Sequence, residues 1–319
     1  MRRVSLAIFA ALLTAPLAQA SDWPTKPIKM VIPFGAGSAT DVIPRIVFDR
    51  LGAQLGQAVI VENRGGAGGT IGTTAVAKSD PDGYTLLTTS SAHTIAPALY
   101  PALGYDAAKD FETVGAIGSV PNVLIVAPSR GLKTIQEFVA AGKSKPGALS
   151  FASLGVGSAV HMSAERFRIS AGYEAVHVPF KGGAEALTEI IAGRVDYYFC
   201  PIATALPFIR DGKVLALAVS SKTRAAALPD VPTTLEAGFK DSDYTFWIAV
   251  FAPAKTPHAI VDTLNAEIIK AVQTPQVKEK LTALGVETSA LSPAAFDAQV
   301  KGELGSYAEF AKVAGMKEN

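Results

Sequence analysis

At 319 residues the chain is long enough for two domains. Hydrophobic residues make up 49% of it and charged residues only 18%, which excludes disordered, collagen-like and coiled-coil chains and leaves material for a sizeable core. A formal net charge of +1 offers no electrostatic footprint for nucleic acid or an anionic membrane surface, and one cysteine, Cys200, rules out an internal disulfide.

The chain opens on Arg2 and Arg3, continues through an apolar stretch from Val4 to Leu17, and reaches the small-x-small triplet Ala18-Gln19-Ala20. That is the pattern of a secretory signal peptide cleaved after Ala20. Residues 1–20 are therefore set apart, and the apolar run falls short of the ~20 residues a membrane-spanning helix needs. The mature chain is expected to start at Ser21 as an exported, soluble protein, with no later stretch of transmembrane length.

From there short apolar runs alternate with helical patterns, the signature of α/β units with largely parallel strands. Ile28–Ile32 reads as the first buried strand. Asp41 then stands at an N-cap position ahead of Ile43, Ile46, Val47 and Leu51 at helical spacing. Further strands are expected at Val59–Glu62, Tyr84–Thr88, Val123–Ala127, Leu149–Ala152, Ala175–Val178, Val195–Phe199 and Val214–Val219. Helices are expected over Ile135–Ala141, Ser158–Ile169, Ala184–Ala192, Ala259–Val272 and Ala294–Val313.

No repeat and no Pro/Ser-rich linker divides the chain, but two segments read as crossings between lobes. One is Gly118-Ser119-Val120-Pro121-Asn122; the other runs from Tyr244 to Pro253. A chain that crosses twice gives a discontinuous first lobe, residues 21–121 plus 246–319, and a second lobe, residues 122–245. Two crossings form a hinge without a flexible linker.

Four glycine-containing loops stand between a strand and a helix. The first is Pro33-Phe34-Gly35-Ala36-Gly37-Ser38-Ala39-Thr40-Asp41, where glycines admit close backbone approach and a helix N-terminus offers unpaired N–H groups to a carboxylate or phosphate. An ordinary strand-to-helix turn is the alternative. The second, Asn63-Arg64-Gly65-Gly66-Ala67-Gly68-Gly69-Thr70, is neither GxGxxG nor a P-loop and reads better as a tightly packed connection. The third, Ser153-Leu154-Gly155-Val156-Gly157-Ser158, puts Ser158 at an N-cap and His161 one turn further, with Glu165 and Arg168 on the same face; His161 is also consistent with a structural role. The fourth is Val178-Pro179-Phe180-Lys181-Gly182-Gly183-Ala184, where Lys181 could meet an anion or stay solvated. Such loops lie beyond the carboxyl ends of the strands, where α/β sheets bind ligands.

Enzyme readings are weaker. There is no GxSxG elbow. Ser158 and His161, with Asp196, could be imagined as a triad, but residues three apart on one helix rarely meet as nucleophile and base. His93, His161, His177 and His258 lack metal-ligand spacing, so neither metal nor cofactor is expected. No motif surrounds Cys200.

Taken in order and spacing, the motifs resemble one family, the periplasmic solute receptors of tripartite tricarboxylate transporters (Bug-type binding proteins). The resemblance covers almost all of the mature chain. It rests on Trp23-Pro24-Thr25-Lys26-Pro27-Ile28, on Val31-Ile32-Pro33-Phe34 with its glycine loop and Asp41, and on Val61-Glu62-Asn63-Arg64-Gly65-Gly66-Ala67-Gly68-Gly69. Asp80-Pro81-Asp82-Gly83-Tyr84-Thr85-Leu86-Leu87 and His93 to Tyr100 follow. Gly157-Ser158 with His161, His177-Val178-Pro179-Phe180-Lys181-Gly182 and Ala227-Leu228-Pro229-Asp230-Val231-Pro232-Thr233 complete it.

The resemblance implies a two-lobed α/β periplasmic binding protein, type II-like, with the ligand in the cleft. It also implies capture of a small organic acid for a two-component membrane permease. It carries ligand-binding roles to Phe34, Gly35, Ala36, Gly37, Ser38, Thr40, Asp41, Ser153, Gly155, Gly157, Ser158 and His161. Ser90, His93, Phe180, Lys181, Gly182 and Cys200 complete the expected site. The family commonly reads Pro-Pro-Gly-Gly before the Thr-Asp pair, where this chain has Gly35-Ala36-Gly37-Ser38-Ala39; Ser38 adds a hydroxyl donor. Cys200, followed by Pro201, stands where Asp is frequent, which argues against an amino-acid ammonium. Phe180 replaces the usual Tyr. A non-enzymatic, monomeric receptor for a di- or tricarboxylate or an aromatic acid is the expectation. A sensing subunit for a membrane kinase and a secreted α/β hydrolase are the alternatives.

Overall fold

The computed structural model describes residues 23–316; the expected signal peptide lies outside the described residues. In chain order the elements are β1 (Ile28–Ile32), α1 (Ala39–Leu55), β2 (Val59–Asn63), α2 (Thr70–Ala77), β3 (Thr85–Ser90), α3 (Ala92–Leu99) and β4 (Phe111–Val126). Next come α4 (Ile135–Ser144), β5 (Leu149–Ser153), α5 (Ala159–Ala171), β6 (Ala175–Pro179), α6 (Gly183–Ile191), β7 (Tyr197–Pro201), α7 (Ile202–Arg210) and β8 (Leu215–Val219). The chain closes with β9 (Thr245–Pro253), α8 (His258–Gln273), α9 (Pro275–Ala283), β10 (Glu287–Thr288) and α10 (Pro293–Val313).

The strand order is β2-β1-β3-β9-β4-β7-β5-β6, with β8 and β10 also pairing with β4. β1 is parallel to both β2 and β3, and β5 is parallel to both β6 and β7. Every pairing of β4 and β9 is antiparallel, so the expected largely parallel arrangement is corrected to a mixed one. β4 is the strand that passes from one sheet to the other. β4 pairs with β9 from Phe111 to Pro121, then from Asn122 onward with β7, joined one residue later by β8 on its other edge. Chain return is fixed at Tyr244, whose N–H donates to Ser220 O at 2.6 Å, one residue before Thr245 pairs with Pro121.

β1 is apolar on both faces because both are covered. Ile28, Met30 and Ile32 are fully buried, Ile28 and Met30 in one cluster with Ile43, Val47 and Leu51 of α1 at helical spacing; Val31 joins Val76 and Leu87 on the other face. The second sheet buries Val123, Ile125 and Tyr198 towards α6 and α7, and Leu124, Phe151, Tyr197 and Phe199 towards α4 and α5. In both parallel units the helices start at the carboxyl ends of the strands, which directs their N-termini to the space between the sheets.

Candidate functional site

The first loop is braced from within. Asp41 is buried, its Oδ2 accepts the Gly37 N–H at 2.9 Å, and its Oδ1 accepts from Asn63 Nδ2 and Arg45 Nε, both at 2.9 Å. Asn63 also donates to Phe34 O at 3.0 Å, and Phe34 packs with Ile32, Ala92 and Leu154. Asp41 thereby shapes the loop: both carboxylate oxygens are engaged by its own chain, Oδ2 by one donor only. Ser38 is the N-cap of α1, yet its hydroxyl makes no capping bond; it is 2% exposed, and Oγ has no partner among the described residues.

Facing it are two further helix starts. A Cβ placed on Gly183, the first residue of α6, would lie 3.6 Å from Ser38 Cα, 3.8 Å from Gly37 O and 3.8 Å from Thr204 Cγ2 in the first turn of α7. Three helix N-termini, each the positive end of a macrodipole, therefore meet beside an unpaired hydroxyl. The loops touch elsewhere too. Gly35 N–H donates to Lys181 O at 3.3 Å, and Gly182 lies within van der Waals reach of Gly35 and of the Ala36 carbonyl. Lys181 meets the first loop through its carbonyl while its side chain is exposed, the solvated one of its two expected states. Phe180 is half-buried against the core of the second sheet.

The third loop is held by its own side chains. Ser153 Oγ bonds to His177 Nε2 and accepts the Gly155 N–H at 3.0 Å. Ser158 Oγ donates to Gly155 O at 2.7 Å and accepts the His161 N–H at 3.4 Å, and Gly157 N–H donates to His161 Nδ1 at 3.2 Å. His161 stacks on His177 with ring centroids 4.1 Å apart. Burial holds the His161 imidazole well below its usual range and pushes His177 down to about 4. Both rings are neutral, which His161 Nδ1 must be to accept a hydrogen bond. Glu165 and Arg168 pair with each other at 2.6 Å on the same helix.

Two more expectations are corrected. His93 belongs to the aromatic core: its ring lies 4.7 Å from Phe251, 4.9 Å from Phe111 and 5.9 Å from Tyr105, and its Nε2 bonds to Ala107 O at 3.2 Å. Cys200 packs with Val123, Tyr198 and Ile202 in the apolar cluster of the second sheet, and burial pushes its thiol up. Ser90 is buried at the end of β3 and its Oγ accepts the Ala92 N–H at 3.4 Å; Thr40 is buried in the first turn of α1. Sequence reasoning passed over Thr204, because Pro207 obscures α7 and no loop separates that helix from β7. It also passed over Tyr100, whose hydroxyl donates to Val156 O of the third loop at 2.8 Å. Among the described residues no three His, Cys, Asp or Glu side chains are grouped to hold a metal, and no helix is long and apolar enough to cross a membrane.

This architecture has known counterparts. The profile of the family described as "Tripartite tricarboxylate transporter family receptor" matches residues 43–304. The chain belongs to that family. The receptor is similar to the periplasmic binding protein BugD, with 35% identity, a TM-score of 0.89, and coverage of 93% of this chain and 100% of that one. It is similar to R. palustris Rpa4515, solved with adipate, at 32% identity and a TM-score of 0.90 over 93% of this chain and 100% of the other. MatC from Rhodopseudomonas palustris, solved with malate, shares 33% identity at a TM-score of 0.86 over 90% and 99% of the two chains. The fold of this receptor is thus the two-lobed α/β fold of periplasmic solute-binding proteins.

Proposed function

We propose that the protein captures a small organic carboxylate in the cleft between its lobes and delivers it to a two-component membrane permease. In this reading the chain is exported, cleaved after Ala20, and acts as a receptor that releases its ligand unchanged. Residues 21–121 with 246–319 form one lobe and residues 122–245 the other, with the hinge where β4 changes partners. The observation that carries the reading is Ser38 Oγ, buried without a partner where the N-termini of α1, α6 and α7 meet. A carboxylate oxygen there gains a hydrogen bond and three favourable dipoles, and needs no cationic side chain. The adipate and malate in the two R. palustris relatives support the same class of ligand.

Thermal unfolding of residues 21–319, refolded to strip bound ligand, tests this against adipate, malate, citrate, benzoate and amino acids. A true ligand at 100 times its Kd adds about 2.7 kcal/mol to stability. One acid is expected to shift the midpoint and be recovered unchanged. No shift with any acid would overturn the carboxylate reading; chemical conversion of the acid would overturn the receptor reading.

A further inference from the structure

We propose that Thr204 is a specificity-determining residue of the ligand site, gripping the same carboxylate as Ser38 from the opposite lobe. The inference rests on the carboxylate reading above and adds to it a residue and a direction of approach.

A threonine inside a helix can satisfy its hydroxyl on the preceding turn. Thr73, Thr74, Thr188 and Thr263 each donate their hydroxyl to the carbonyl four residues back, at 2.7–2.9 Å. Thr204 does not. It is the third residue of α7, so the residue four back is Cys200, inside β7. Its Oγ1 is shielded from solvent and has no partner among the described residues. A hydroxyl shut away unpaired is unfavourable unless something completes the bond.

What could complete it is indicated by the neighbours. Ala39 and Ala203, each adjacent in sequence to one of the two unpaired hydroxyls, belong to one apolar cluster, so the first turns of α1 and α7 pack together. A Cβ added to Gly183 would touch both Ser38 Cα and the Thr204 methyl, which places the first turn of α6 against both residues. Two hydroxyl donors on different lobes thus flank the place where three helix N-termini converge. None of these first turns carries Lys or Arg. Two of them carry an acid, Asp41 in α1, which is held by Arg45 and Asn63, and Glu185 in α6, so the attraction for a carboxylate oxygen comes from the helix dipoles and the two hydroxyls alone. An ammonium at this end would face three dipoles of the wrong sign, so amino acids are selected against here.

Thr204→Val keeps the shape and removes the hydroxyl, while Thr204→Ser keeps the hydroxyl. Adipate, malate, citrate and benzoate serve as probes by calorimetric titration, with urea unfolding of each ligand-free protein alongside. For the acid that wild type binds, Thr204→Val is expected to lose about tenfold in affinity, and Thr204→Ser to stay within about threefold. The ligand-free Thr204→Val protein should unfold at the same urea concentration as wild type or higher, because no internal bond is lost. Unchanged affinity in Thr204→Val overturns the inference alone. A lowered urea midpoint also overturns it, since the hydroxyl would then be structural. Wild-type protein that binds none of the acids overturns the carboxylate reading and this inference with it.

Discussion

Gly68 and Val156 meet backbone to backbone. A Cβ on Gly68 would stand 2.2 Å from the Val156 carbonyl oxygen, and one on Gly155 would stand 2.9 Å from Gly68 N. Tyr100 seals the same seam through its hydroxyl bond to Val156 O. The second glycine loop, read from the sequence as a tight connection, therefore packs directly on the third, and if the two move apart when ligand leaves, their contact belongs to the ligand-bound form. Gly68→Ala cannot reach this arrangement without moving backbone, a cost of about 1–3 kcal/mol. Affinity for the cognate acid should fall on the order of 10- to 100-fold. Small-angle scattering should show the variant staying as extended with saturating acid as without it. Gly68 also has φ +61°, where alanine is strained whatever its contacts; the urea midpoint of the ligand-free variant measures that part. Compaction at wild-type affinity would sink the idea.

The bonds that the Asp41 carboxylate accepts lead to an ordering of effects. Asp41→Ala strands the Gly37 N–H and removes an acceptor from Asn63 and Arg45. Leaving a buried donor unpaired costs about 1–3 kcal/mol, and the loop that carries Ser38 should loosen, so stability and acid affinity fall together. Arg45 is about half exposed, at 46%, and Arg45→Ala should cost well under 1 kcal/mol. Equal losses from the two variants in urea unfolding would refute the bracing role.

The two N-cap serines should separate cleanly. Ser158 Oγ accepts from His161 N and donates to Gly155 O, whereas Ser38 Oγ does neither for its own helix. Ser158→Ala is therefore expected to lower unfolding free energy by about 1 kcal/mol. Ser38→Ala should leave the ligand-free protein as stable as before while weakening acid binding. Denaturant curves with and without acid give both numbers, and a destabilised Ser38→Ala would mean that its hydroxyl has an internal partner.

How far the sequence carried can be judged residue by residue. β1 is found at the expected Ile28–Ile32, and β5, β6, α5, α8 and α10 fall within two residues of their expected ends, because uninterrupted apolar runs or helical spacing mark them. The first half of β4 escaped because Gly115 and Gly118 dilute its pattern. Both glycines are there for contacts no local pattern reveals: a Cβ would meet Asn265 Nδ2 at 2.6 Å and Glu287 O at 2.4 Å. Helices α3 and α7 were hidden by Pro97 and Pro207. At the site, the glycine loops were legible as backbone approaches to a ligand. Which hydroxyls remain free was not, since Ser38, Ser90, Ser153 and Ser158 look alike until their partners are known. His93 shows the same limit: a histidine in a polar-looking motif is spent on an aromatic cluster.

Acid should destabilise the protein through its buried histidines. His93 and His177 are pushed down to about 4 by burial and His161 is held well below its usual range, whereas an unfolded histidine titrates near 6.5. Below that value the unfolded chain takes up protons that the native one refuses. Stability is therefore fully present above about pH 7 and falls as the pH drops from about 6.5 towards 4. Each fully buried histidine contributes a slope of about 1.4 kcal/mol per pH unit in that window, with His177 contributing less because it is partly exposed. Urea unfolding at pH 7.5, 6 and 5 should show the loss. His93→Leu, whatever it does to stability at pH 7.5, should make the dependence shallower by about one proton. Stability that stays flat between pH 7.5 and 5, or a His93→Leu slope equal to that of the wild type, would show that these rings take up protons without unfolding.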